Sequence, residues 1–346
     1  MRFYRIELPL LILIAFPNLA PAQQAPPANR EKAESRTDSK STPPTVAENW
    51  QALGDLKSGL ELVTPIVVQN DEQPDLVRQL VRVQWCPNDP IDLWITRPKV
   101  TGKVPVVLYL YNFSDSSDRF HDNGWCKRAN ADGFAAVGFA SALSDYRFKW
   151  RPLRQWFVSE LAESLGSSVH DVQLILNYLA DRGDLDMNRV GMFGMGSGAT
   201  IAILAAHADS RIKTLDLLDP WGGWPDWLKQ SPLVPENERS NYLAPQFLKS
   251  VAALDPVALL PSLKTPNIRL QQTVSEPVTP NISRERIAAA VPERTQIAKY
   301  MSPEDLLKAW KNTGLSGWIK QQLRSQVPKG DGDEGRASLS SHSQLH

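Results

Sequence analysis

Three observations predict an α/β fold built on a mostly parallel central sheet. Short, nearly continuous apolar runs recur along the chain, as at 104–111 (VPVVLYLY) and 134–140 (FAAVGFA), and such runs suit strands buried on both faces of a parallel sheet. They alternate with stretches of helical periodicity, which implies right-handed crossovers and helices on both faces. A glycine cluster, Gly194-Met195-Gly196-Ser197-Gly198, stands where one apolar strand meets the helix that follows it.

The elements follow in order. Residues 76–85 and 91–97 read as strands joined by the turn-like Cys86-Pro87-Asn88-Asp89-Pro90, an N-terminal edge hairpin. Residues 104–111 and 134–140 supply the first buried strands. A long helical stretch over 153–181 carries Val169, Val172, Leu176 and Leu179 at helical spacing. Next come a strand at 190–193, the glycine cluster, an apolar helix at 199–206, and strands at 212–218, 267–274 and 295–300. No internal repeat interrupts this pattern.

The bulk numbers bound the function. A chain of 346 residues with 42% hydrophobic content can bury one large core. Lys plus Arg and Asp plus Glu both total 38, so no overall field favours nucleic acid, and partners must be argued from local sites. Residues 1–22 place Arg2 and Arg5 ahead of an apolar run at 8–16 and the small-residue triplet Ala20-Pro21-Ala22, the pattern of a secretory signal. That run is shorter than the ~20 residues a membrane span needs, so export to the periplasm or beyond, with no membrane anchor after cleavage, is expected, and an uncleaved anchor is the alternative. Residues 23–48 and 328–346 are rich in Pro, Ser and charge, as in a disordered linker and tail, which leaves a folded domain over 49–327. Cys86 and Cys126 lie in the exported part. A Cys86 to Cys126 disulfide and two buried free thiols both fit the sequence.

Residues 189–200, RVGMFGMGSGAT, carry the specific signal. A strand running into a helix through Gly-x-Gly-x-Gly resembles the nucleophile elbow of the α/β-hydrolase superfamily, especially its dienelactone-hydrolase and acyl-esterase-like members. Those enzymes have serine at the centre, flanked by small residues because strand and helix backbones nearly touch. In that register Gly194 and Gly198 flank the turn and Gly196 holds the nucleophile position. The hydroxyl is absent, and glycine suits the strained turn because it has no Cβ. Ser197 is expected to begin the helix rather than to replace the nucleophile.

The resemblance spans residues 76–310 and places further positions. Tyr111-Asn112-Phe113-Ser114 falls at the oxyanion-hole loop, without the glycine usual there. Glu276 falls at the position of the triad acid and reads as a solvated loop charge. The histidine expected after the last strand is missing, since the chain reads Tyr300-Met301-Ser302-Pro303 there. Of the five histidines, His342 and His346 lie in the polar tail, His170 inside a helix, His207 at a helix end and His121 in a surface loop.

A lid is expected over 221–249, opening with Trp221, Trp224 and Trp227. These tryptophans suit either a ligand platform for a small ester, lipid or glycan, or packing of the lid onto the body. Asp219 precedes them at a strand end, facing the site or capping the turn, and Met195 precedes the elbow residue. No cofactor is implied, and no cluster of His, Asp, Glu or Cys has metal-ligand spacing. The sequence leaves a silent binding or structural protein and an active carboxylester-type hydrolase, using Ser197 with Glu276 or His121, as its two readings. A metal-dependent hydrolase has the least support.

Overall fold

The computed structural model describes residues 63–85, 89–112, 118–143, 147 and 157–325. The expected signal peptide, linker and tail, Cys86, Phe113, Ser114, His342 and His346 lie outside those residues.

Nine strands form one sheet among the described residues: β1 (Val63–Glu72), β2 (Leu76–Gln84), β3 (Ile91–Pro98), β4 (Val104–Leu110), β5 (Ala135–Phe139), β6 (Leu185–Met195), β7 (Ile212–Leu218), β8 (Asn267–Thr273) and β9 (Gln296–Tyr300). Their spatial order is β1-β2-β3-β5-β4-β6-β7-β8-β9. The first three strands and the β3–β5 pair are antiparallel, and every pair from β5–β4 to β8–β9 is parallel. The expected hairpin is β2–β3, yet it is not the edge, because β1 pairs outside it. β1 contains Pro65 and leaves Ile66, Val67 and Val68 exposed, so neither apolar periodicity nor burial marks it.

The long helices are α1 (Asn123–Asn130), α2 (Leu161–Asp181) and α3 (Ser197–Ala208), followed by α4 (Trp224–Gln230), α5 (Asn281–Ala290), α6 (Pro303–Thr313) and α7 (Gly317–Ser325). Alternation along β6 separates the two faces of the sheet. Val190 and Met192 join the main core with α2 and α3, whereas a Cβ on Gly191 would run into Ile319 of α7 and Phe193 meets Trp310 of α6. Helices therefore cover both faces, which is why β4 is buried along its whole length. No helix among the described residues is long and apolar enough to cross a membrane.

The segment expected as a lid packs inward. Trp221, Trp224 and Trp227 are fully buried in the main core, with Trp227 against Trp221 at 5.0 Å and edge-on to Trp224 at 5.8 Å between ring centroids. Asp255 fixes the start of α4 by accepting the N–H groups of Gly223 and Trp224 at 2.8 and 3.1 Å. Of the two roles the tryptophans suited, packing is the one realised.

Candidate functional site

The strand order reverses between β5, β4 and β6, and a crevice forms beyond the carboxyl ends of strands at such a point. Gly196 stands there, immediately after β6. Its backbone has φ 50° and ψ −117°, the strained turn expected at the tip of an elbow. Its N–H donates to Leu218 O at 2.9 Å and its carbonyl accepts from Thr200 N at 3.1 Å, so strand and helix lock residue 196 at the tip. The flanking glycines are required by contact. A Cβ on Gly194 would lie 2.6 Å from Ala199 Cα, and one on Gly198 would lie 2.5 Å from the carbonyl oxygens of Leu110 and Tyr111.

Asn112, two residues past β4, fills the space where a side chain on residue 196 would project. A Cβ built on Gly196 would fall 2.7 Å from Asn112 Cγ and nearer still to Oδ1. Asn112 Oδ1 also accepts the backbone N–H of Ser197 at 3.1 Å and lies 3.5 Å from its hydroxyl. The N–H after an elbow residue is the donor that would face a developing oxyanion. Here an amide oxygen of the chain itself occupies it. Ser197 begins α3 as expected, but it is wholly buried and its hydroxyl turns to Asn112 rather than capping the helix.

Two carboxylates gather at the ends of β7 and β8. Asp219 is a non-glycine residue with φ 45°, and its Oδ1 accepts Thr273 N–H at 2.8 Å. Burial raises its pKa from 3.8 to about 7, the Thr273 bond opposes that rise, and the nearby charge of Glu276 adds to it. Glu276 is not the solvated charge expected. Its oxygens accept Val278 N–H at 2.7 Å and Thr279 N–H at 2.9 Å, with Arg284 at 3.9 Å, so it staples the loop after β8. Met301, where a histidine was sought, is 68% exposed after β9 and contributes no base. Met195 is buried as the last residue of β6.

The described histidines sit elsewhere. His121 meets the ring of Trp94 edge-on at 4.7 Å on β3, His170 packs on Trp85 at 5.6 Å, and His207 lies 3.3 Å from Ser262 Oγ. No group of three or more His, Cys, Asp or Glu among the described residues is placed to hold a metal ion. Cys126 is buried, its Sγ 3.4 Å from Phe120 O, and burial pushes its pKa up.

Asn112 is marked in the sequence by its loop, but its contact with Ser197 joins residues 85 apart and carries no local signal. A buried pair in the parallel strands is also absent from the sequence expectations. Arg269 and Asp216, partners across β7–β8, bond at 2.8 and 2.5 Å. An acid in β7 and a base in β8, strands consecutive in the sheet, were the available signal.

The elbow, the sheet order and the two-sided helical cover define the α/β-hydrolase fold. No family model matches the chain, and no curated protein matches it in sequence. Solved structures are similar to it in fold. Acetyl xylan esterase 1 from Thermoanaerobacterium sp. JW/SL YS485 is similar over 78% of this chain and 92% of its own, with TM-score 0.62 and 13% identity. An acetyl xylan esterase from Paenibacillus sp. R4 is similar over 79% and 92%, with TM-score 0.59 and 16% identity. The acylaminoacyl peptidase of Pyrococcus horikoshii is similar over 74% of this chain and 48% of its own, with TM-score 0.51 and 11% identity. At these identities the likeness is one of fold.

Proposed function

We propose that this chain is an exported protein that uses the α/β-hydrolase fold for binding or structure and does not hydrolyse esters through the elbow. The observation that carries this reading is Asn112, which fills the nucleophile's side-chain space and takes the Ser197 N–H. An ester carbonyl would find no hydroxyl at residue 196 and no open N–H at Ser197. Removing triad members alone costs on the order of 10⁶ in turnover, and much of what survives comes from the oxyanion hole. Here the donor that would supply part of that remainder is engaged. A small ester, lipid or glycan is the class of ligand that suits a fold shared with esterases, bound at the crevice over β4 and β6.

Purified mature protein should give no turnover of short-chain p-nitrophenyl esters and no labelling by a fluorophosphonate probe. Labelling or turnover that disappears in Ser197→Ala would overturn this reading. Export is supported by the basic, apolar and small-residue pattern of residues 1–22. N-terminal sequencing of protein recovered outside the cytoplasm should begin after Ala22, and retention of the whole leader would contradict it.

A further inference from the structure

The face of the sheet covered by α1 and α7 holds a cavity of about 820 Å³ that shares no lining residue with the elbow. Its wall is strongly cationic. Arg128, Arg269, Lys320 and Arg324 line it against a single carboxylate, that of Asp132. Trp125 and Trp318 line it as well, giving flat apolar surface between the charges.

Two of the cations are built into the wall rather than waving from it. Arg269 is 9% exposed. Asp216 engages its Nε and Nη2, and the Trp318 ring lies 5.0 Å from its guanidinium carbon, so its plane is fixed. Guanidinium carries five donors, and the two bonds to Asp216 leave donors for a second acceptor. Lys320 is 6% exposed. Its ammonium donates to the carbonyls of Arg128 and Ala131 at 3.3 and 3.0 Å, where α1 ends, which uses two of its three hydrogens. Among the described residues no carboxylate lies within ion-pair distance of it, and Asp132 pairs instead with Arg324 at 3.0 Å. Burial lowers the Lys320 pKa to about 8, Asp132 opposes that fall and Arg324 deepens it.

An ammonium held in low dielectric with no carboxylate in direct contact is costly, and an anion entering beside it offsets that cost. We propose that this cavity is a binding site for a small ligand carrying an oxyanion, such as a carboxylate or phosphate, on a flat apolar body. The oxyanion sits between Lys320 and the free edge of Arg269, Arg324 closes the mouth, and the flat body lies against Trp125 and Trp318. This site is independent of the elbow, so its occupancy does not depend on whether the elbow is silent.

The test titrates the whole protein with phenyl phosphate, followed by calorimetry and tryptophan fluorescence, with phenol as the uncharged control. Saturable binding of phenyl phosphate and none of phenol is expected. Lys320→Met should weaken it ~10-fold or more, the scale of one charge-assisted hydrogen bond. Arg324→Gln, at a half-exposed position, should weaken it while leaving the fold intact, so the site can be judged even where Lys320→Met fails to fold. Absence of saturable binding to the native protein, or affinity unchanged in the folded variants, would overturn the proposal.

Discussion

Asn112 and Gly196 compete for one volume. The Cβ that any other residue would carry at 196 falls 2.7 Å from Asn112 Cγ, and the same amide holds the Ser197 N–H at 3.1 Å. Placing serine at 196 therefore displaces Asn112 and breaks that bond. Gly196→Ser is expected to destabilise by roughly 1–3 kcal/mol, from overpacking and a lost hydrogen bond. Because the two residues touch, Asn112→Gly with Gly196→Ser should cost less than the sum of the single changes. Urea unfolding of the four proteins measures this coupling. Strict additivity would show that residue 196 does not meet Asn112.

The glycines next to it answer to a different constraint. A Cβ on Gly198 meets backbone carbonyl oxygens at 2.5 Å, and backbone cannot rotate aside as a side chain can. Gly198→Ala should cost upward of ~2 kcal/mol, through forced separation of β4 and α3. Gly183, between α2 and β6, has open space where its Cβ would go and no positive φ. Gly183→Ala should be neutral or stabilise by ~0.4–1 kcal/mol through the unfolded chain. Similar melting temperatures for the two variants would remove the close-contact explanation of the elbow glycines.

The elbow was legible in sequence because its geometry is enforced by local backbone contacts, and only glycine satisfies them at 194 and 198. β4 and β5 were legible because burial on both faces writes itself as continuous apolar runs. Asn112 was legible as a member of its loop but not as a plug, since its partner is 85 residues away and periodicity carries no information across that distance. Glu276 was misjudged for a related reason. Its partners are backbone N–H groups of its own turn, which any sequence supplies. The cavity beside α7 was invisible because its cations come from three elements far apart in sequence, α1, β8 and α7.

Asp219 gives the protein a pH-dependent stability of definite sign. Its carboxyl titrates near 3.8 in the unfolded chain and about 7 when folded, mainly through burial. Between those values the folded state holds a proton that the unfolded state has released, so stability is greatest below the lower value and falls as pH rises through the window. Above about pH 7 both states are ionised and the loss is complete. The span corresponds to a change on the order of a few kcal/mol. Asp219→Asn keeps an oxygen for the Thr273 N–H and has nothing to ionise, so its unfolding free energy should be flatter with pH than the parent's. Parallel pH profiles for the two proteins would mean that another group governs this range.

Trp224 and Trp227, both buried, predict unequal effects of one substitution. Trp224 Nε1 donates to Leu254 O at 3.1 Å, whereas the buried Trp227 Nε1 has no hydrogen-bond partner among the described residues. Phenylalanine removes similar apolar volume at either site, so the difference between the two variants isolates the polar atom. Trp224→Phe breaks a satisfied bond, and Trp227→Phe deletes a donor that was desolvated for nothing. Trp227→Phe should therefore be the milder change, by about 1 kcal/mol. Trp227→Ala, which empties a fully buried site, should cost about 3–5 kcal/mol. Chemical denaturation of the three variants decides the order. A Trp227→Phe protein less stable than Trp224→Phe would mean that the Trp227 ring nitrogen has a partner, such as an ordered water, in solution.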